Sequence, residues 1–472
     1  MRCYNLAKNP FIFYEKIDDK YGLFLLVNSL HGNIDIVSKS VIDALSREYY
    51  CGDYLYVLRG KGYLIDKYLL YDSLEGLNFK YYLNLLSNRP YMALVPTHDC
   101  NSRCIYCFQS LIRTGRLEFK YITKNNVTKA FEAAIKLFER YHPNAKENPR
   151  LILFGGEPLI NLNVREIVDY ILKLAKEYGV EPYDIVTNGV FLPEYADLII
   201  RYEVKSIQVT IDGPQKIHNS RRPSLIETNP FGKIVTGISM LLKSGTDINI
   251  YVRTNVDKRN IKYLVDLAKF YMDKGWSNDK RFKPYLSPTQ PYGCTHIAQY
   301  TLTDSEFLLR ILELFRKHEE IKIFSIDSIM LYRHIKDALI KGNFDRALSY
   351  CGATNSTYVF DLYGKIYLCM DAIGREQFVI GYYTPNLVVD YNTIKRWHKP
   401  VLDKEKCARC SFALICRGNC NFHSILLGHD IDNPPCPNVK RLLKVSVNHF
   451  AENIINLVKE KVEVLKLYEH ST

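Results

Sequence analysis

Between residues 90 and 290, short apolar runs alternate with longer stretches in which apolar side chains recur every third or fourth position. The runs at 91–95, 151–154, 184–186, 206–211, 248–252 and 282–286 are too short for helices and read as buried strands. The stretches between them carry helical spacing. Val127, Ala130, Phe131, Ala134, Ile135 and Phe138 form one apolar stripe. Val164, Ile167, Val168, Ile171, Leu174 and Ala175 form the next, with Gly179 where a helix stop is expected. A short helix follows near 195–200, then one that uses Ile234, Ile238, Leu241 and Leu242, then one over 261–272. Strands alternating with helices predict an α/β fold with a parallel sheet and right-handed crossovers.

The flanks break that rhythm. In residues 1–88 the runs 23–27 and 34–37 enclose Asn28-Ser29-Leu30-His31-Gly32-Asn33 and read as a hairpin. Ser38 or Ser40 is placed to cap a helix through Val41, Ile42 and Leu45, and Gly60 and Gly62 precede Tyr63-Leu64-Ile65. A small α+β module is the expectation. The main unit spans 89–290. Residues 291–350 form a bridge, with helical spacing over 305–317 and 326–348. Residues 351–440 read as short strands and loops rich in cysteine. In the tail, 441–472, Leu442, Leu443, Val447, Phe450, Ile454, Leu457 and Val458 mark an amphipathic helix from 439 to 467 that packs on the chain's own core.

Composition narrows the partners. A chain of 472 residues, 47% of them hydrophobic, is globular and long enough for two or three domains. A net charge of +12 favours anionic partners. No dense basic run or nucleic-acid motif accompanies it, so nucleic acid is not expected. The first residues lack an apolar signal core and no stretch is long enough to span a membrane, which predicts a cytoplasmic protein with no membrane partner. Thirteen cysteines there point to metal or catalysis rather than disulfides. Only Cys3, Cys51 and Cys294 stand outside patterned groups.

The chemistry-bearing residues fall at predicted strand ends. Cys100, Cys104 and Cys107 follow the first strand with spacing C-x3-C-x2-C. Three thiolates this close can hold one metal centre and leave one position of a four-iron cluster open. A structural zinc site would close with a fourth local ligand, and His98 is poorly placed to supply it. Gly155-Gly156-Glu157-Pro158 follows the second strand. Its glycines let the backbone approach a ligand and leave carbonyls free for an ammonium. Thr187-Asn188-Gly189 ends the third strand, and Thr210-Ile211-Asp212-Gly213-Pro214 ends the fourth and runs on to His218 and Arg222. Arg253 ends the fifth and suits a planar carboxylate. Cys351-x12-Gly364-x4-Cys369 and Cys407-x2-Cys410-x5-Cys416-x3-Cys420, closed by Cys436, hold seven more thiols. By spacing alone these suit iron–sulfur clusters or two zinc ions.

Together these motifs resemble the radical S-adenosylmethionine (SAM) enzymes that carry a C-terminal SPASM domain, in particular the peptide-modifying and sulfatase-maturase-like subgroup. The resemblance covers residues 90–440 and implies a partial (β/α)6 TIM-like barrel with its site at the carboxyl ends of the strands. It implies a [4Fe–4S] cluster on Cys100, Cys104 and Cys107 whose free iron binds SAM. Tyr106 would lie near the adenine, Gly155, Gly156 and Glu157 would take the amino group, and Thr210 and Arg253 the carboxylate. Asn188 would help place SAM or substrate, unless it only forms an ordinary turn. His218 could be a base, but a structural or substrate-contact role is the expectation, and no catalytic residue is assigned.

In the SPASM region the resemblance implies two auxiliary [4Fe–4S] clusters. Cys407, Cys410, Cys416 and Cys436 would hold one. Cys351, Cys369 and Cys420 would hold three corners of the other, the fourth falling to Cys294, another residue or none. The implied reaction uses an electron from a donor such as flavodoxin or ferredoxin to make a 5′-deoxyadenosyl radical, which abstracts hydrogen from a peptide or protein. The first module resembles winged-helix modules that bind a leader peptide by strand addition, with plain packing as the alternative. The expected function is maturation of a ribosomally made peptide through a thioether or carbon–carbon crosslink. The alternative is formylglycine formation in a sulfatase, and a remote one is a metal-binding or electron-transfer protein without SAM chemistry.

Overall fold

The computed structural model describes residues 6–46, 54–110, 119–292, 295–451 and 454–455. Cys3, Cys51, Cys294 and the predicted end of the tail helix lie outside them.

The N-terminal hairpin is present with one further strand. Strands β1 (Ile12–Asp18), β2 (Leu23–Asn28) and β3 (Asn33–Ser38) form an antiparallel sheet in that order. One face buries Phe13, Ile17, Leu25 and Val27 against Ile335, Ala338, Ile415, Leu443 and Val447, so the module packs on the bridge, the cysteine-rich region and the tail helix. Phe13 and Phe412 meet with ring centroids 4.7 Å apart, and Ser29 Oγ donates to the Ser411 carbonyl at 3.0 Å. The tail is helical from 439 to 451, with Leu442 and Leu443 buried, so it packs on the chain itself.

The main unit is a partial (β/α)6 barrel. Strands β4 (Tyr91–Val95), β5 (Arg150–Leu153), β6 (Tyr183–Val186), β7 (Ser206–Thr210), β8 (Asn249–Val256) and β9 (Phe282–Pro288) pair parallel in chain order. Met92, Ala93, Leu94 and Val95 are fully buried, as expected of a strand covered on both faces. The covering helices start and stop where local chemistry directs. Thr123 caps the helix Lys124–Tyr141 by accepting from Asn126 N–H at 3.2 Å. Gly179, at φ +66°, follows the end of Arg165–Glu177.

Two features depart from the sequence expectation. The bridge helix runs over Met330–Lys341 rather than 326–348, because Gly342 ends it at φ +73° and Ser325 is drawn into a parallel bridge with Tyr285. A helix the periodicity did not reveal occupies Lys67–Ser87.

The cysteine-rich region is continuous with the barrel. Strand β10 (Thr357–Asp361) adds parallel to β4, from Thr357 opposite Tyr91 to Asp361 opposite Val95. Strands β11 (Lys365–Tyr367), β12 (Gly381–Tyr382) and β13 (Val388–Val389) extend it antiparallel into one ten-stranded sheet. No helix among the described residues is long and apolar enough to cross a membrane.

Candidate active site

The cysteine loop leaves the carboxyl end of β4 and is clasped from two sides. On one side lies the turn after β5. Gly156 N–H donates to Thr97 O at 3.0 Å and Glu157 N–H to Asp99 O at 2.9 Å. A Cβ on Gly156 would lie 2.1 Å from the Asp99 oxygen, and one on Gly155, at φ +146°, 2.6 Å from that of Thr97. The backbone leading into the loop therefore requires both glycines, a reason separate from any ligand. On the other side residues 221–225 run antiparallel to the loop. Ile105 N–H donates to Arg221 O at 3.0 Å, Arg103 N–H to Pro223 O at 2.8 Å and Leu225 N–H to Asn101 O at 2.7 Å.

Cys100 is buried, whereas Cys104 and Cys107 are partly exposed. Its sulfur accepts from Ser102 N–H at 3.4 Å and from Asn188 Nδ2 at 3.7 Å. Donors aimed at a sulfur stabilise its thiolate and tune a cluster, so this donor set fits an iron–sulfur site. Asn188 Nδ2 also donates to Asn101 Oδ1 at 2.6 Å, which ties the end of β6 to the loop.

Glu157 points inward rather than toward a ligand. Its Oε1 accepts from Thr187 Oγ1 at 2.5 Å and from Leu159 N–H at 3.0 Å, and its Oε2 from Asn188 N–H at 2.5 Å. Burial raises its pKa to about 7 against the pull of these bonds. The residue holds the Thr187-Asn188 turn in place, and both oxygens are committed to the protein.

Tyr106 is the centre of a polar hub. Its hydroxyl donates to Asp212 Oδ2 and accepts from Arg222 Nη1 at 2.7 Å and Asn255 Nδ2 at 3.0 Å. Burial lifts the phenol well above its ordinary range, which keeps it a donor. Asp212 is fully buried and takes Asn255 N–H at 3.0 Å through Oδ1. The Arg221 guanidinium lies 5.4 Å from the Tyr106 ring centroid and pairs with Asp257 at 2.9 Å. In the sequence, Asp212 and Arg222 stand inside a motif that shows no partner for either, and nothing marks Asn255. The available signal was a carboxylate and a guanidinium flanking a predicted barrel strand end.

His218 is 1% exposed and its Nδ1 accepts from Asp212 N–H at 3.3 Å. Burial lowers its pKa to about 3, so it is a neutral structural residue. Thr210 and Arg253 are register partners on β7 and β8, so both side chains emerge on one face. Because β8 continues to Val256, Arg253 lies inside the strand rather than at its end. Its Nε donates to Asn255 Oδ1 at 2.8 Å and its Nη2 to Ser287 Oγ at 3.1 Å. Arg253 lines a cavity of about 570 Å³ together with Tyr350, Cys416, His423 and Cys436.

The C-terminal thiols form two groups. Cys407, Cys410, Cys416 and Cys436 line one cavity of about 280 Å³. Cys351, Cys369 and Cys420 lie close enough to act on one another electrostatically.

Residues 94–271 match the Radical SAM superfamily. The chain carries a radical SAM domain. A domain of this family implies SAM and a [4Fe–4S] cluster as cofactors, and the protein is a radical SAM enzyme. It is 25% identical over 331 residues to the cysteine-type anaerobic sulfatase-maturating enzyme of Clostridium novyi, covering 68% of this chain and 85% of that one. It is 24% identical over 181 residues to the GTP 3′,8-cyclase of Petrotoga mobilis, covering 38% of this chain and 51% of that one. Among solved structures, native anSMEcpe with bound AdoMet superposes with a TM-score of 0.56 at 16% identity, covering 78% of this radical SAM chain and all of that one. Streptococcus suis SuiB bound to precursor peptide SuiA superposes at 0.54 and 13% identity, covering 92% and 99%.

Proposed function

We propose that this radical SAM enzyme matures a ribosomally made peptide, forming a thioether or carbon–carbon crosslink. The observation that carries the reading is the cavity of about 570 Å³, whose lining includes Arg253 and Ser287 of the barrel strands together with Cys416 and Cys436 of the cysteine-rich region. A peptide segment seated there would meet both the radical site and the thiol-rich region. When bound, SAM and the cluster supply a carbon-centred radical that takes hydrogen from the substrate. The chain's own residues hold and orient. Cys100, Cys104 and Cys107 would ligate the cluster, and the Tyr106 hub fixes the loop between them. Gly155, Gly156, Asn188 and Thr210, at or just beyond the strand ends, and Arg253, inside β8, would surround SAM. Glu157 acts behind them.

Auxiliary clusters belong to the same proposal. Four thiols around a 280 Å³ space suit a polynuclear cluster better than one zinc ion, whose sulfur ligands close to about 2.3 Å from the metal. The test is direct. Full-length enzyme loaded anaerobically with iron and sulfide, then given SAM and dithionite, is expected to release 5′-deoxyadenosine. The Cys100→Ala/Cys104→Ala/Cys107→Ala variant is expected to release none. Wild-type protein that releases none in any condition removes the reading.

A second reading, formylglycine formation, is favoured by the 25% identity to the sulfatase-maturating enzyme. The N-terminal sheet favours the first. SuiB, crystallised with its precursor peptide, superposes over 92% of this chain, against 78% for anSMEcpe. Strand β3 is an edge of the three-stranded sheet and half-exposed along its length, so it is the proposed place for a leader peptide to add as a strand. Slower amide hydrogen exchange over 33–38 when a matched precursor peptide is present is expected. Unchanged exchange there, with the peptide bound, would remove this edge from the proposal.

A further inference from the structure

Two contacts from the cysteine-rich region bracket the three cysteines of the radical loop. Before Cys100 stands His98, whose Nε2 lies 3.2 Å from Asp361 Oδ2 at the end of β10. Both side chains are buried, and the His98 and Tyr363 rings meet edge to face at 5.3 Å. Asp361 is itself firmly held. Its Oδ1 takes Tyr363 N–H at 2.9 Å and Lys365 N–H at 3.0 Å, and its Oδ2 takes Tyr367 OH at 3.1 Å. The His98 contact is not aligned as a hydrogen bond, so packing holds this end.

After Cys107 the contact is a charged donor. Cys107 N–H donates to Cys104 O and Ser110 N–H to Cys107 O, each at 3.2 Å, two turns that do not use the Phe108 carbonyl. That carbonyl accepts from Arg375 Nη2 at 3.3 Å, and the same nitrogen donates to Tyr292 O at 3.4 Å. Both bonds are long for N–H···O, as expected of one nitrogen shared by two acceptors. Tyr292 lines the large cavity, and its ring meets His423 at 4.8 Å and Phe422 at 5.9 Å. The Arg375 guanidinium lies 5.8 Å from the Phe422 ring centroid.

Arg375 is half-buried, and its backbone is fixed. Its N–H donates to Ala372 O at 3.2 Å, and its carbonyl takes Phe378 N–H at 3.0 Å. Among the described residues its side-chain hydrogen bonds go to the two carbonyls and to no carboxylate. The positive charge strengthens both bonds.

We propose that Arg375 is a positioning residue of the radical site, which fixes the Cys107 end of the cluster loop at a set place relative to the cavity wall. It acts through two backbone carbonyls and touches neither SAM nor substrate. One donor serves the loop and the wall, so its loss frees both at once. The Cys100 end stays gripped by the Gly155-Gly156 turn and by His98, which confines the fault to the far end of the loop. The proposal rests on the radical SAM domain and is independent of the crosslinking and auxiliary-cluster readings.

The test uses the full-length chain. Arg375→Met keeps an apolar stem beside Phe422 and removes both bonds. Arg396→Met is the control, since it removes an exposed arginine of the same region that pairs with Asp430. Amide hydrogen exchange over residues 104–110 of the unloaded protein is expected to become about tenfold faster in Arg375→Met. Exchange over 206–210 of β7 is expected to be unchanged, and the control to match wild type in both segments. After anaerobic loading, electron paramagnetic resonance of the reduced protein with SAM reads the cluster itself. The signal missing from Cys100→Ala/Cys104→Ala/Cys107→Ala identifies it. Wild type is expected to show one SAM-bound species and Arg375→Met more than one. Unchanged exchange over 104–110, or an unchanged SAM-bound signal, overturns the proposal. So does exchange that rises equally over 206–210 in a variant that still unfolds cooperatively. If Arg375→Met does not fold, Arg375→Lys carries the same readouts, because a shorter point charge does not serve both carbonyls. A wild-type result there overturns the proposal.

Discussion

Gly156→Ala is expected to destabilise the protein by about 3 kcal/mol or more and to prevent iron uptake at the cysteine loop. The added methyl would stand 2.1 Å from the Asp99 oxygen and 2.3 Å from that of His98. Both are backbone atoms, so no side chain can rotate away. The Asp99 carbonyl also accepts Glu157 N–H, so moving it breaks that bond as well. Cys100 is the next residue, and a shift of Asp99 carries its sulfur away from Asn188. Denaturant unfolding of the apoprotein and iron content after loading measure the two effects. Gly179→Ala is the control. Gly179 has positive φ, +66°, but nothing lies within 4 Å of its added carbon, so its cost should stay near 1 kcal/mol. Equal losses in the two variants would sink the steric account.

The second large effect is expected at Glu157. Glu157→Ala leaves the Thr187 hydroxyl, Asn188 N–H and Leu159 N–H without their acceptor, at a cost of about 3 kcal/mol or more, and loosens the turn that places Asn188. Glu157→Gln is milder. Its amide nitrogen must face one of those donors, which costs about 1–3 kcal/mol. The pair also has a pH signature. Burial raises the folded-state pKa of Glu157 from 4.5 to about 7, so the folded protein holds this proton more tightly than the unfolded chain. The stability that linkage provides is complete below pH 4.5 and is lost as the pH rises through about 7. Over that window wild type is expected to lose up to about 3 kcal/mol relative to Glu157→Gln. The difference between the two unfolding free energies at pH 4.5 and pH 7.5 measures it, and a constant difference would contradict the burial argument.

The barrel was legible because its strands are buried on both faces. Runs such as Met92–Val95 must be apolar at every position, and they stand out against the amphipathic helices between them. Lys67–Ser87 was not legible for the opposite reason. Leu70, Leu74, Leu77, Tyr81 and Leu85 face the core, yet Leu69, Tyr71, Phe79, Tyr82 and Leu83 are exposed, so apolar residues ring the helix and erase its period. At the site, spacing within one loop revealed Cys100, Cys104 and Cys107. The Tyr106 hub joins residues from the loop, β8 and the stretch after β7, and no local pattern encodes that meeting. Glu157 illustrates a subtler gap. Its position beside the glycines was legible, but which way the carboxylate turns depends on donors thirty residues away at Thr187 and Asn188.

The pairing of β10 with β4 bears on how the enzyme can be handled. A barrel that stops short of closure exposes two edges, and β4, which leads into the cysteine loop, would be one of them. In this chain β10 covers that edge from residue 357 to 361. A version truncated after residue 350 would present a row of unsatisfied N–H and C=O groups on an apolar strand, which is a template for self-association. The cysteine-rich region thus acts as a solubility device for the barrel, and the SAM-binding half is not a unit that can be prepared without it.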